Sequence, residues 1–539
     1  MATRFSLPVL ATAAEALAWL KEQRVTGTLR TDSRLVEPGD AFIAWPGAAA
    51  DGRAHVGDAF AHGAVACLVE AEGVDAFDFG QPEGVSGAVA ACRDLKTLTG
   101  PLASAWFGEP SQAIDVLAVT GTNGKTSTAW WLALALSKAE LKALSGIAVV
   151  GTLGIGIAPD LVAGALTTPD PVTFQSALAG FVQQGVSACA VEASSIGLAE
   201  QRLSGTRIRV AIFTNFTQDH LDYHGDMQAY WQAKAALFEW PGLEAAVVNL
   251  DDPAGQQLAA ALAGKSLDLW TYSIDQREHA DTLFCAGAAP GVSAAARIVG
   301  TNIHYGSAGL ECTVTEGGLS ATLVTSAIGE YNIANLLGVI GALRARGVPF
   351  AESVAACTRL APVPGRMQCL GGIAEPLVVI DYAHTPDALE KALRALSPLA
   401  RKRGGSLVCV FGCGGARDAG KRPLMGSVAA TCADEVWITS DNPRGEPPLA
   451  IIEQIAQGLE RGQLARIEPD RAAAIRAAIS AASLRDVVLI AGKGHETTQE
   501  IAGKRSPFSD ILHATNALAR RPASASGHAG GGAQASGAL

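Results

Sequence analysis

DVLAVTGTNGKTS, residues 115–127, decides the fold. Asp115–Thr120 is apolar and valine-rich, as a buried strand is. The turn TGTNGKT follows, and TAWWLALALSKAEL (128–141) has the length and composition of a helix. A strand, a glycine turn and a helix N-terminus together make an anion cradle. Backbone N–H groups approach phosphate where no side chain intervenes, and the helix end adds partial positive charge. On that reading Gly121, Thr122, Asn123, Gly124, Lys125, Thr126 and Ser127 bind ATP. Lys125 reaches the β/γ-phosphates and the Thr126 hydroxyl ligates Mg²⁺. The loop is a shortened form: six residues before the lysine, where the full motif has glycine, stands Val119. An ordinary Gly-rich strand–helix turn is the competing explanation, and GKT in this context weighs against it.

The same pattern repeats outward. Apolar, β-branched runs occur at 116–121, 188–194, 210–216 and 245–252, then at 377–384, 406–412, 435–441 and 486–492, with helix-like stretches between them. Continuous apolar runs separated by helices predict buried parallel strands in α/β units. Nearly every run ends in a polar, glycine-rich or charged motif, and open α/β sheets bind ligands at the carboxyl ends of their strands. Two sheets each displaying polar groups along one edge imply a site between two domains. APVPGRM (361–367) reads as an interdomain hinge. The partition is 1–105, 106–355 and 356–520, followed by a Gly/Ala/Ser-rich tail, 521–539, expected to be disordered.

Composition bounds the function. At roughly 150 residues per domain, 539 residues make three to four domains, large enough to need no disulfide or metal staple. The formal charge, 41 − 52 = −11, argues against a general nucleic-acid or anionic-membrane surface. The uncharged run Ala143–Pro159 is too short and too rich in glycine to span a bilayer. Arg4 and the apolar patch after it imitate a weak signal peptide. Pro8 and Glu15 interrupt that patch, and a short amphipathic surface helix is the better reading. Ten scattered cysteines without a CxxC pair fit reduced thiols in a cytoplasmic protein. Cys413 has no nearby base in sequence and reads as non-catalytic.

The loop TGTNGKT resembles the ATP loop of the Mur ligases, the amino-acid-adding enzymes of peptidoglycan synthesis, and the resemblance runs from about residue 28 to 515. It is strongest to the MurE type. The motifs that carry it are TDSR (31–34), TTPD (167–170), EASS (192–195), TNFTQDHLDYHGD (214–226), PGRM (364–367), DYAHTPDALEKAL (381–393), FGCGGARDAGKRPLM (411–425), SDNPR (440–444) and AGKGHE (491–496). The resemblance implies an α/β fold of three domains. These are a UDP-sugar-binding domain, a central P-loop ATPase domain with a mostly parallel sheet, and a C-terminal Rossmann-like domain that binds the amino acid. It implies an ATP- and Mg²⁺-dependent ligase that phosphorylates the D-Glu side chain of UDP-N-acetylmuramoyl-L-Ala-D-Glu. An amine, meso-diaminopimelate, then attacks the acyl phosphate.

The resemblance assigns Lys125, Glu192, His220 and Lys234 to catalysis. Thr126, Glu192, His220 and Lys234 would serve the metal, with Lys234 carbamylated, since a carbamate is an anionic ligand where an ammonium would repel the cation. Asn332, Arg366 and Asp381 would join the loop around ATP, although helix capping explains Asn332 nearly as well. Ser33, Thr167, Thr168, Ser194 and Arg202 would hold the UDP-sugar peptide, with local capping a serious rival for the hydroxyls. Arg417, Asp441, Asn442, Pro443, Arg444, Gly492 and Glu496 would hold diaminopimelate. Its distal carboxylate, which lysine lacks, suits a bidentate guanidinium at Arg444. Ile196, Glu200 and Ala48 depart from the family pattern.

Three other readings remain open: the same ligase using L-lysine, a folylpolyglutamate synthase-like ligase, and a P-loop nucleotide switch. The DNPR and GKGHE motifs favour diaminopimelate. A monomer is expected.

Overall fold

The computed structural model describes residues 7–47, 50–79, 87–138, 146–164, 166–274, 296–306, 309–358, 360–371, 375–460 and 464–521. Ala48 and residues 522–539 of the tail lie outside the described residues. The chain divides into two compact units, Met1–Arg366 and Met367–Leu539. The break falls within PGRM.

The first unit carries two sheets. The smaller has five parallel strands in the order Val9–Leu10, Ala88–Cys92, Ala66–Glu70, Ala41–Ala44, Leu29–Arg30. Against it lies the helix Ala13–Glu22, capped by the Thr12 hydroxyl and burying Ala16 and Leu20. The N-terminal apolar patch thus leads into an amphipathic helix.

The larger sheet has eleven strands. Its parallel centre runs Asp268–Ser273, Ala245–Asn249, Ile208–Phe213, Asp115–Thr120, Ala188–Glu192, Ile147–Gly151. Antiparallel strands close both margins. The helix Lys125–Lys138 is apolar almost all round because it is covered on every side. It shares one core with the helix Glu330–Ala345, and Trp131 Nε1 donates to the Ala361 carbonyl at 3.1 Å. That packing fixes where the helix begins, and so where the phosphate loop sits.

The second unit is a six-stranded sheet in the order Gln368–Leu370, Leu377–Asp381, Val487–Ala491, Leu407–Phe411, Glu435–Ile438, Ala465–Ile467. Only Gln368–Leu370 is antiparallel. Val487–Ala491, late in the chain, enters between two early strands. The loops after Leu407–Phe411, Glu435–Ile438 and Val487–Ala491 therefore share one edge, where such sheets bind ligands. All eight apolar runs of the sequence form strands in these two sheets. Among the described residues no helix is long and apolar enough to cross a membrane.

Candidate functional site

In the first unit the phosphate loop leaves the strand Asp115–Thr120 and enters the helix Lys125–Lys138. Gly121 and Gly124 have φ of +143° and +86°, a region that L side chains rarely adopt. A Cβ on Gly121 would lie 1.9 Å from Thr214 Oγ1, and one on Gly124 2.5 Å from Asn335 Oδ1. Glycine is required at both positions.

The loop is fastened by the segment after the strand Ile208–Phe213. Thr122 N–H donates to the Asn215 carbonyl at 2.8 Å, Asn123 N–H to Asn215 Oδ1 at 2.9 Å, and Thr217 N–H to Thr122 Oγ1 at 2.9 Å. Asn215 and Thr217 escaped the sequence reading. Their signal was the polar TNFTQ following a strand.

The cationic groups rest on carbonyls. Lys125 Nζ donates to the Gly121 and Thr122 carbonyls, both at 2.9 Å. Lys234, fully buried in the helix Met227–Ala235, donates to the same Gly121 carbonyl at 2.8 Å and lies over the Tyr230 ring. Burial, then the nearby Lys125 charge, draws the Lys234 ammonium well below its ordinary value, against a pull upward from Asp219. Burial also lowers Lys125, opposed by Glu192 and Asp219. A surface lysine would show neither effect.

Glu192, buried at the end of its strand, accepts from Thr126 Oγ1 at 2.9 Å, from Thr152 N–H at 2.7 Å and from Thr152 Oγ1 at 3.1 Å. Arg366 Nη2 donates to Thr126 Oγ1 at 2.9 Å. Loop, carboxylate and guanidinium thus converge on one hydroxyl. His220 has left-handed backbone (φ 54°), a strained choice for a non-glycine residue that is common at functional sites. Its Nε2 lies 3.5 Å from Asp219 Oδ2. Asn332 Nδ2 donates to the Ile328 carbonyl at 2.8 Å, near the start of its helix.

The hydroxyls assigned to the sugar peptide adjoin this cluster. Thr168 Oγ1 donates to the Glu192 carbonyl at 2.6 Å and meets Ser194 Oγ at 2.9 Å. Thr167 Oγ1 meets Thr152 Oγ1 at 3.1 Å, and Arg202 Nη1 donates to the Thr168 carbonyl at 3.1 Å. Ser194 also caps the helix Ser195–Ala199. Ser33, buried in the turn Ser33–Leu35, is not hydrogen-bonded into this network. The Glu200 departure is accounted for locally: its carboxylate pairs with Lys96 Nζ at 2.6 Å and accepts from the Tyr223 hydroxyl.

The second unit holds the other predicted residues. Asp381 gives both carboxylate oxygens to backbone amides, those of Met367 and Ala383, each at 2.8 Å. Asp441, Asn442, Pro443 and Arg444 follow the strand Glu435–Ile438, beside the loop that carries Arg417. Asn442 Nδ2 donates to Glu496 Oε2 at 2.9 Å. Gly492 donates its N–H to the Asp381 carbonyl at 3.1 Å. Arg444 has φ 53°. Its N–H donates to the Glu500 carbonyl at 2.9 Å and its Nη1 to the Gly415 carbonyl at 2.7 Å. A Cβ built on Gly414 would lie between Arg444 Nη1 (3.0 Å) and Arg417 Cγ (3.8 Å), so the two arginines flank one backbone position. Among the described residues no carboxylate pairs with either.

That contrasts with two arginines the sequence reading passed over. Arg422, 1% exposed, forks onto Glu446 with both contacts at 2.9 Å and also donates to the Gly414 carbonyl at 3.1 Å. Arg471 forks onto Asp510 at 2.7 Å, both side chains fully buried, and also donates to the Ser440 (3.3 Å) and Ala491 (2.8 Å) carbonyls. These pairs set the loops that display Arg417, Asp441–Arg444 and Gly492–Glu496. Cys413 is buried, and that burial pushes its thiol up to about 12.

Among the described residues no three His, Cys, Asp or Glu side chains are grouped to hold a metal. What the first unit offers is a carboxylate and a hydroxyl 2.9 Å apart at the mouth of a phosphate loop. Both are hard oxygen donors, suited to a divalent cation that completes its shell with phosphate and water.

Three family descriptions match the chain: "Mur ligase family, catalytic domain" over 27–98, "Mur ligase middle domain" over 119–343 and "Mur ligase, glutamate ligase domain" over 365–494. A relative from Acidovorax sp. (strain JS42), named UDP-N-acetylmuramoyl-L-alanyl-D-glutamate–2,6-diaminopimelate ligase, is 60% identical, covering 96% of this chain and 99% of its own. A solved structure with that same enzyme name is 34% identical with a TM-score of 0.59, covering 91% of this chain and 94% of that one. The MurF ligase from Thermotoga maritima in complex with ADP shares the fold at 16% identity and a TM-score of 0.59, covering 92% and 97%.

Proposed function

The chain belongs to the Mur ligase family, and from that premise we propose that it joins meso-diaminopimelate to UDP-N-acetylmuramoyl-L-Ala-D-Glu at the expense of ATP. The observation that carries the substrate choice is Arg444. It is a half-buried guanidinium with one nitrogen tied to a carbonyl and no carboxylate partner among the described residues. A cation so held is completed by an anion from the substrate, and the distal carboxylate of diaminopimelate supplies one. Lysine would leave it unmatched.

The phosphoryl step brings the D-Glu carboxylate against the γ-phosphate, two anions that must be screened. The loop amides of Gly121–Ser127 cradle the phosphates. Lys125 exchanges its two carbonyl contacts for phosphate oxygens, and Arg366, already on Thr126, adds a second positive charge. Thr126 and Glu192, with His220, would hold Mg²⁺, which when bound supplies further charge neutralisation. Lys234 is suited to carbamylation because burial favours its neutral amine, the form that adds CO₂ with loss of a proton. Thr167, Thr168, Ser194 and Arg202 orient the sugar peptide, Ser33 contacts the uridine nucleotide, and residues 1–105 form that domain.

In the second unit Asp441, Asn442 and Glu496 hold ammonium and carboxylate groups, while Arg417 and Arg444 hold carboxylates. The diamine is thereby oriented so that its free amine attacks the acyl phosphate. The C–N bond forms as the C–O bond to phosphate breaks, releasing phosphate and a proton. Orientation of this kind replaces a bimolecular search with a bound geometry.

ADP release tests the reading. It should require both the UDP-sugar dipeptide and the diamine, and meso-diaminopimelate should support it better than L-lysine. Equal release without the diamine would point to a nucleotide switch, and a preference for lysine would refute the role of Arg444.

A further inference from the structure

We propose that Lys493 is a positioning residue of the amine subsite, holding Glu496 and Asn442 in the arrangement that receives the diamine; this rests on the reading given under Proposed function. Lys493 is 0% exposed, although it sits in a glycine-rich loop at a sheet edge. Its Nζ donates to Glu496 Oε2 at 2.6 Å and to Asn442 Oδ1 at 3.0 Å, and lies 3.6 Å from Asp441 Oδ1. Asn442 Nδ2 donates to the same Glu496 oxygen at 2.9 Å, and Asn442 Oδ1 also accepts from Glu500 N–H at 3.0 Å.

Two consequences follow. The ammonium and the Glu500 amide can only donate, so Asn442 is held with its oxygen toward both and its NH₂ toward Glu496. Lys493 and Asn442 both approach Oε2, and among the described residues no donor occupies Glu496 Oε1. The carboxylate is gripped by one oxygen and presents the other. The charges of Asp441, Glu496 and Lys493 sum to −1 − 1 + 1 = −1, which suits a single substrate ammonium. Without Lys493 the buried Asp441 and the half-buried Glu496 would lose the cation that lies between them, and the carboxylates would be free to move apart.

Steady-state kinetics on the full chain test this. In Lys493→Met the KM for diaminopimelate should rise about 10- to 100-fold, the size of a lost charged hydrogen bond. The KM for ATP and that for the UDP-sugar dipeptide should stay within about twofold, since their residues are not in the network. Lys493→Met should add little in a Glu496→Gln background, because the lysine acts through that carboxylate. A purely structural lysine would raise all three KM values together, with additive effects. Should Lys493→Met fail to fold, Lys493→Gln, neutral but still hydrogen-bonding, carries the same comparison. An unchanged diamine KM in a folded variant, or full additivity with Glu496→Gln, overturns the proposal. If the wild type instead prefers lysine, the functional reading falls and the positioning claim is judged on the KM for lysine.

Discussion

The two ends of the proposed chemistry are built by opposite means. In the first unit seven consecutive residues, Gly121–Ser127, form the phosphate loop. Neutral bonds from Asn215 and Thr217 hold it, and Lys125 and Lys234 rest on carbonyl oxygens. In the second unit the residues proposed to bind the amine come from three loops after three strands, and ion pairs built on a buried cation hold those loops: Arg422–Glu446, Arg471–Asp510 and Lys493–Glu496. Phosphate can be bound by backbone N–H groups, which arrive in chain order. A zwitterionic diamine needs fixed side-chain charges of both signs, and each buried charge needs a partner. One site is therefore local in sequence and the other dispersed.

The contrast can be broken at either end. The largest effect is expected at the phosphate loop, where Lys125→Ala should lower kcat by about 100- to 1,000-fold or more, the scale of removing a charge-stabilising donor. The melting temperature should change little, because the ammonium bonds only to loop carbonyls. Loss of folding instead would erase the distinction between the two ends. Arg471→Ala should do the reverse: by leaving Asp510 buried and unpaired it should cost about 3–5 kcal/mol in urea denaturation of the second unit. Replacing both partners with apolar residues should recover most of that stability while still impairing diamine binding. Lys234→Ala should reduce turnover by about 10- to 100-fold, as loss of a group supporting a metal ligand set does. Added short carboxylic acids should restore part of it, whereas wild-type turnover would remove Lys234 from the mechanism.

The smallest effect is a pH dependence. Hydrogen bonds from Arg422, then from the Ala416 amide, hold the Glu446 carboxyl below the ordinary glutamate value. A depressed folded value means that its contribution is complete above the unfolded value near 4.5 and is lost as pH falls through the lower folded one. The urea midpoint of the second unit should therefore fall below about pH 4.5, and more gently in Glu446→Gln. Identical slopes would show that the pair does not stabilise the loop.

Legibility follows the same division. Buried parallel strands are continuous apolar runs, so all eight could be read from sequence, and the phosphate loop announced itself because its parts are contiguous. The margin strands Leu310–Glu316 and Leu319–Thr325 did not, because they alternate buried and open positions or stay largely open, and no continuous run marks them. Arg422 and Arg471 look like solvated charges when read singly. Yet each falls on the apolar stripe of its helix. Arg471 precedes Ala474, Ile475, Ala478 and Ile479, and Arg422 precedes Met425, Gly426 and Ala429, at helical spacing. A charge on a buried stripe was the available signal. The partners Asp510 and Glu446 lie 39 and 24 residues away, and only the fold brings them together.

The substrate assignment is tested most directly by the structure of the enzyme with meso-diaminopimelate bound. The account predicts the Arg444 guanidinium within hydrogen-bond distance of the distal carboxylate, with its contact to the Gly415 carbonyl kept. Arg444 turned to bulk water, touching no part of the diamine, would contradict it.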